Sequence, residues 1–172
     1  AEAIYDGKTF EMFDHTDAFK QLAHRVAYFN HTFPSEALPQ PIGAPNTTPN
    51  IDSLIAMCHG YSSYASLKRI DLVRYYLDSL NYGMRTRFEM MAPCVIALEN
   101  GHRAKLRYDV KDGPILSSRF EWLFGIERTP TLNGEPILLE LLAPNLRPVQ
   151  RTRDRQSFWQ TGYGDVKRTH RG

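Results

Sequence analysis

Arg103, Lys105 and Arg107 occupy alternate positions in the stretch 102–108, and Ala104, Leu106 and Tyr108 fill the positions between them. On a β-strand alternate side chains share a face. The three cations would then repeat about 6.6–6.8 Å apart, close to the spacing of successive phosphates along a nucleic acid. A second basic cluster comprises Arg147, Arg151, Arg153 and Arg155, with Lys167, Arg168 and Arg171 beyond, around Phe158-Trp159. Arginines beside aromatics can hold phosphates and stack bases. Each cluster also has a plain structural reading. The first would equally be the solvent face of a half-buried hairpin. In the second, Phe158, Trp159 and Tyr163 are taken as the core of a terminal helix, while the arginines divide evenly between the two readings.

Other chemistry finds less support. Gly7-Lys8-Thr9 resembles the end of a phosphate-binding loop, but that loop needs a glycine where this chain has Glu2, and a strand before it. Gly60-Tyr61-Ser62-Ser63-Tyr64 lacks the closing glycine of a nucleophile elbow. The six histidines are scattered, and Cys58-His59 and Cys94 have no zinc spacing. Both cysteines read as small core residues, and the acidic residues read as solvated charges on helix faces. No catalytic constellation or metal site is expected, and the chain by itself is expected not to be an enzyme. A small α+β enzyme with Tyr108 or His102 near a pocket is the weakest alternative.

The elements that must position these residues divide the chain in two. Asp14 or Thr16 can cap a helix in which Phe19, Leu22, Ala23, Val26 and Phe29 share one face, ended by Phe33-Pro34. Residues 34–49 carry five prolines and Gly43, which predicts a loop. Asn50 then caps a short helix with Ile51, Leu54 and Ile55 inward. A stripe of Ile70, Val73, Leu77 and Leu80 continues through Met84, Phe88 and Met91, with Gly83 as a possible break and Ala92-Pro93 as the end. After Pro93 the period changes. An apolar run at 94–98, the Asn100-Gly101 turn and the alternating strand at 102–108 predict a hairpin. Residues 115–124 suit a helix burying Leu116, Phe120 and Leu123, stopped by Gly125. Asn133-Gly134 turns into a strand at 136–142, another strand follows at 149–153, and a last helix would start at Asp154 or Ser157. The expected fold class is α+β: a helical segment at 1–92, then a β-rich, OB-like module at 93–172.

Composition agrees with a folded chain: 172 residues, 42% hydrophobic and 12% aromatic, suffice for a packed core. No apolar run approaches the length needed to span a bilayer, and the start of the chain does not read as a signal peptide. Two cysteines imply a reducing, cytoplasmic setting. The net charge of +2 is uneven: residues 1–90 carry −2 and residues 91–172 carry +4. That asymmetry points to a polyanionic partner such as nucleic acid.

A longer pattern adds to this. The stretches Leu123-Phe124-Gly125-Ile126-Glu127-Arg128-Thr129-Pro130 and Asn133-Gly134-Glu135-Pro136-Ile137-Leu138-Leu139-Glu140-Leu141-Leu142-Ala143-Pro144 lead into Arg147-Pro148-Val149-Gln150-Arg151-Thr152-Arg153-Asp154, then Phe158-Trp159, Tyr163, Val166 and Arg171-Gly172. Upstream, Ser66-Leu67-Lys68, Leu80-Asn81-Tyr82-Gly83-Met84, Ala92-Pro93 and Asn100-Gly101-His102-Arg103 fall in order. From about residue 17 onward the chain resembles the C-terminal region of HrpB-type bacterial ATP-dependent helicases of the DEAH/RHA group. It departs from their pattern at Ala143, where serine is usual, and at Arg155, where leucine is usual. The family also continues past the final Arg-Gly, and two motor domains precede this region, so the chain is expected to be part of a larger enzyme.

The resemblance implies a mechanical role. The motor domains would bind ATP and magnesium and walk on RNA, while the C-terminal region covers the RNA or single-stranded nucleic-acid path and couples it to them. Arg103, Lys105, Arg107, Arg147, Arg151, Arg153, Arg155, Lys167 and Arg168 become candidate phosphate contacts that orient without reading sequence. The competing expectation is a protein-interaction module whose basic face docks on an acidic partner or on the motor domains.

Overall fold

The computed structural model describes residues 16–42, 44, 51–123, 125–142 and 147–153. The expected α+β class is what the chain adopts: five α-helices precede a five-stranded mixed sheet among the described residues. The chain divides into two compact units, Ala1–Phe88 and Glu89–Gly172.

In the first unit, helix α1 (Asp17–Thr32) starts where Thr16 Oγ1 accepts a hydrogen bond from the Phe19 amide at 3.2 Å. Phe19, Leu22, Ala23, Val26 and Phe29 are buried along one face, as their spacing predicts. Phe29 meets Phe88 edge to face with centroids 5.8 Å apart, and the Arg25 guanidinium lies 4.6 Å above the Phe88 ring. The loop after α1 is tied down by an amide clamp. Asn30 Nδ2 donates to the Leu38 carbonyl at 2.9 Å, and its Oδ1 accepts from the Leu38 amide at 2.7 Å. The Tyr76 hydroxyl donates to the Pro39 carbonyl at 2.8 Å.

Helices α2 (Ile51–Cys58) and α3 (Tyr64–Leu67) lead to α4 (Leu72–Ser79) and α5 (Tyr82–Met91). Three local expectations are corrected here. Ile55 faces solvent at 47% exposure, while Met57 is buried in its place. In α4 the buried positions are Leu72 and Tyr76, with Leu80 just beyond, so the core stripe is rotated from the expected one, and Val73 and Leu77 are half-buried. The break between α4 and α5 falls at Leu80-Asn81 and not at Gly83, because Asn81 Oδ1 caps α5 by accepting from the Met84 amide at 2.9 Å. Asn50, the expected cap of α2, lies outside the described residues.

In the second unit β1 (Val95–Ala97), β2 (Arg103–Asp109) and β3 (Gly113–Arg119) form an antiparallel meander. A 3-10 turn (Phe120–Leu123) and a small hairpin of β4 (Thr131–Leu132) and β5 (Glu135–Pro136) lead to β6 (Leu138–Leu142), which runs parallel to β3. Strand β7 (Pro148–Thr152) closes the order β1-β2-β3-β6-β7. The helix expected over 115–124 is a correction: its first half is the central strand β3. A short apolar run reads equally as buried helix or buried strand, and pairing on both sides decides it. Here Leu116 lies opposite Leu106 in β2 and Leu139 in β6. Leu116 and Leu123 are buried as expected.

The core lies under Leu106, Tyr108, Leu116, Leu139 and Leu141. Tyr108 is fully buried, and its hydroxyl donates to the Pro93 carbonyl at 2.8 Å. A tyrosine so placed is a structural strut, which removes it from any surface chemistry. Cys94 is exposed and Cys58 half-buried, so neither is the core residue expected. No described helix is long and apolar enough to cross a membrane.

Candidate nucleic-acid interface

Strand β2 alternates as its sequence predicts: Ala104, Leu106 and Tyr108 are buried, Arg103 and Lys105 are exposed, and Arg107 is half-buried. Arg103 pairs with Ala97 and Lys105 with Val95 in the register with β1. Neither side chain forms an ion pair among the described residues. They are the two cations of the row that remain available to an outside anion.

Arg107 is engaged otherwise. Its Nη2 lies 3.4 Å from Glu140 Oε2. Glu140 sits in the middle of β6, only 5% exposed, between Ser117 of β3 and Arg151 of β7 in the strand registers. The Ser117 hydroxyl donates to Oε2 at 2.7 Å, and Arg151 Nε and Nη2 donate to Oε1 at 2.8 and 2.7 Å. Arg151 Nη1 also lies 3.7 Å from Asp112 Oδ2. One carboxylate thus gathers Arg107, Ser117 and Arg151 from three neighbouring strands. Burial by itself would push its pKa up; the Ser117 and Arg151 hydrogen bonds and the charges of Arg151 and Arg107 outweigh that and hold it below the ordinary carboxylate value. Arg153 is tied to the backbone, donating to the Asp112 carbonyl at 2.7 Å and the Pro136 carbonyl at 3.2 Å.

The expected row and cluster are therefore redistributed. Arg107 and Arg151 share a carboxylate yet keep 42% and 50% of their side chains exposed. Arg147 is exposed just before β7. Arg155, Lys167 and Arg168, with Phe158 and Trp159, lie outside the described residues. Sequence reasoning missed Glu140 by treating the acids as solvated. The usable signal was a lone carboxylate inside the apolar run 137–142, which burial would oblige to find cationic partners.

The turn before β2 carries a second feature. Gly101 has φ +82°, and the Asn100 side chain accepts from the His102 amide at 3.2 Å while donating to the Trp122 carbonyl at 2.9 Å. The imidazole of His102 and the indole of Trp122 lie parallel within 5°, centroids 6.3 Å apart. Trp122 is 51% exposed. On the far side of this turn Glu99 Oε2 accepts from the Glu127 and Arg128 amides at 2.8 and 3.2 Å. A cavity of about 630 Å³ there is lined by Ile96, Leu98, Glu99, Ile126, Arg128 and Pro130, among others. No cluster of three or more His, Cys, Asp or Glu side chains among the described residues could hold a metal, and both Glu140 oxygens are already occupied by donors.

Comparison with known proteins agrees with this fold. Residues 53–172 match the family described as ATP-dependent helicase C-terminal. The ATP-dependent RNA helicase HrpB of Escherichia coli strain K12 is 33% identical over 115 residues, which are 66% of this chain and 14% of that protein. The crystal structure of the E. coli DExH-box NTPase HrpB superposes with a TM-score of 0.76 at 28% identity, covering 99% of this chain and 21% of the crystallised one. A crystal structure of the E. coli DEAH/RHA helicase HrpB gives 0.66 at 28% identity, covering 91% and 20%. The chain thus spans about one seventh of the curated relative. Because the family match extends over more than half of its residues, the chain belongs to the ATP-dependent helicase C-terminal family of HrpB-type proteins.

Proposed function

We propose that this chain is the accessory C-terminal region of an ATP-dependent RNA helicase, lining the nucleic-acid path and coupling it to motor domains of the same parent protein. The observation that carries this is the pair Arg103 and Lys105, exposed at alternate positions of one strand and unpaired among the described residues, in a chain of helicase family. Their contacts would be to phosphate and would orient RNA or another single strand without reading its sequence. In this reading the segment 1–92 corresponds to the tail of a helicase helical domain, and 93–172 to an OB-like module. Arg147, and from the sequence Arg155, Lys167 and Arg168, are the further candidate phosphate contacts of this reading. Arg107, Arg151 and Arg153 contribute charge, but their geometry belongs first to the sheet. In this reading ATP, magnesium and catalysis belong to the motor domains of the parent, in a cytoplasmic setting.

A second reading has its own observation. Three of the six described candidate cations are held by Glu140, Asp112 and Pro136. A surface whose cations are partly spent suits docking on an acidic partner or on the motor domains. Binding to labelled single-stranded RNA and to a duplex control across a salt series separates the two. Phosphate contacts predict sequence-blind, micromolar binding whose logarithm falls by about 0.7 per contact per decade of salt. No binding even at low salt would establish the docking role instead.

A further inference from the structure

We propose that Arg119 is a third phosphate contact on the surface that carries Arg103 and Lys105, so that a single-stranded nucleic acid crosses from β2 onto β3 and does not follow β2 alone. The inference rests on the nucleic-acid reading above and adds to it a residue that alternation within one strand cannot reveal. Arg119 is the last residue of β3 and is exposed. Its side chain makes no hydrogen bond or ion pair among the described residues.

The strand register decides which face Arg119 stands on. Arg107 lies opposite Ile115 in the β2–β3 ladder, and directly opposite residues share a face. Alternation then puts Arg103, Lys105 and Arg107 of β2 on the same face as Ile115, Ser117 and Arg119 of β3. Burial agrees, because Ala104, Leu106 and Tyr108 are buried together with Pro114, Leu116 and Ser118 on the other face. The two strands are antiparallel and turn at Asp109–Gly113, so Arg103, which opens β2, and Arg119, which closes β3, lie at the same end of the ladder. Neighbouring strands stand about 4.7–4.9 Å apart. A phosphate chain can therefore pass from the cations of one strand to that of the next.

The surroundings leave this charge uncompensated. Among the described strand positions of this face the carboxylates are Asp109 and Glu140. Asp109 Oδ1 accepts from the Lys111 and Asp112 amides at the turn, the opposite end of the ladder from Arg103. Glu140 is taken up by Ser117, Arg151 and Arg107. Toward β1 the residues opposite Arg103 and Lys105 are Ala97 and Val95, and toward β6 Arg119 lies opposite Leu142. None of these three carries a charge. Three cations clustered on one face fit a polyanion, and the forked donors of two guanidiniums match the paired oxygens of a phosphodiester.

The test measures binding of a short fluorescein-labelled oligouridylate by anisotropy across a salt series. Arg119→Gln should flatten the slope of log affinity against log salt by about 0.7, the share of one phosphate contact. Arg69→Gln removes the same charge from an exposed arginine of the helical unit and should leave the slope unchanged. A second measurement needs no substitution: phenylglyoxal modification, mapped by peptide mass, should slow several-fold at Arg119 when oligouridylate is bound and not at Arg69. It stands whether or not Arg119→Gln folds. An unaltered slope in Arg119→Gln, or an Arg119 that oligouridylate fails to protect, would overturn the third contact while leaving Arg103 and Lys105 in place. Equal flattening by Arg69→Gln would reduce the effect to net charge and overturn it as well. Binding of an oligoglutamate peptide of equal charge as tight as that of oligouridylate would assign the face to an acidic protein. Absence of binding to oligouridylate at low salt would overturn both this contact and the nucleic-acid reading.

Discussion

Glu140 is the side chain on which the second unit's polar face depends. A buried carboxylate with two guanidinium partners is costly to break from one side, because the remaining charges lose their partner. Glu140→Ala should destabilise the chain by about 2–3 kcal/mol, less than for a fully buried pair because Arg107 and Arg151 can turn to water; urea denaturation measures it. The lowered carboxyl pKa has a direction in pH. Its stabilisation is complete above the unfolded carboxylate value, about pH 4.3, and is lost as pH falls through the lower folded value. The urea midpoint should therefore drop more steeply below about pH 4 in the parent chain than in Glu140→Gln. Little of this was legible in the sequence. Arg107 and Arg151 stand out as cations, but their shared partner depends on β3 and β6 running parallel, a pairing between segments more than twenty residues apart that no local pattern encodes. The two exposed cations, by contrast, follow from alternation alone.

Turns and strands show the same division between local and distant information. The Asn100-Gly101 and Asn133-Gly134 turns were readable because their residues tolerate positive φ; Asn133 and Gly134 adopt 53° and 86°. At Gly101 a built Cβ would meet nothing within 4 Å, so Gly101→Ala carries only the backbone penalty of the left-handed region. It should cost about 1 kcal/mol in thermal or urea unfolding. In strand β3 the spacing of Leu116, Phe120 and Leu123 fits a helical period, and pairing with β2 and β6 overrides it. The cysteines are not legible for a similar reason: small residues carry no directional signal of their own. Exposed Cys94 should react with a thiol reagent well before Cys58, whose thiol is half-buried and whose pKa burial pushes up. Alkylation followed by peptide mapping reads the order directly, and faster labelling at Cys58 would contradict the placement.

Over the chain as a whole, the change of period after Pro93 marks where strands begin, and the uneven charge marks the half that carries the candidate interface. Both were visible in composition and spacing, whereas the split of that charge into internal and outward cations required the fold. The central claim is that Arg103 and Lys105 face phosphate. The measurement that tests it most directly is the salt dependence of single-stranded RNA binding by the parent chain and by the double variant Arg103→Ala/Lys105→Ala. Loss of two phosphate contacts should flatten the slope of log affinity against log salt by about 1.4. An unchanged slope in the double variant would contradict the claim and place the RNA, if it binds, elsewhere on the molecule.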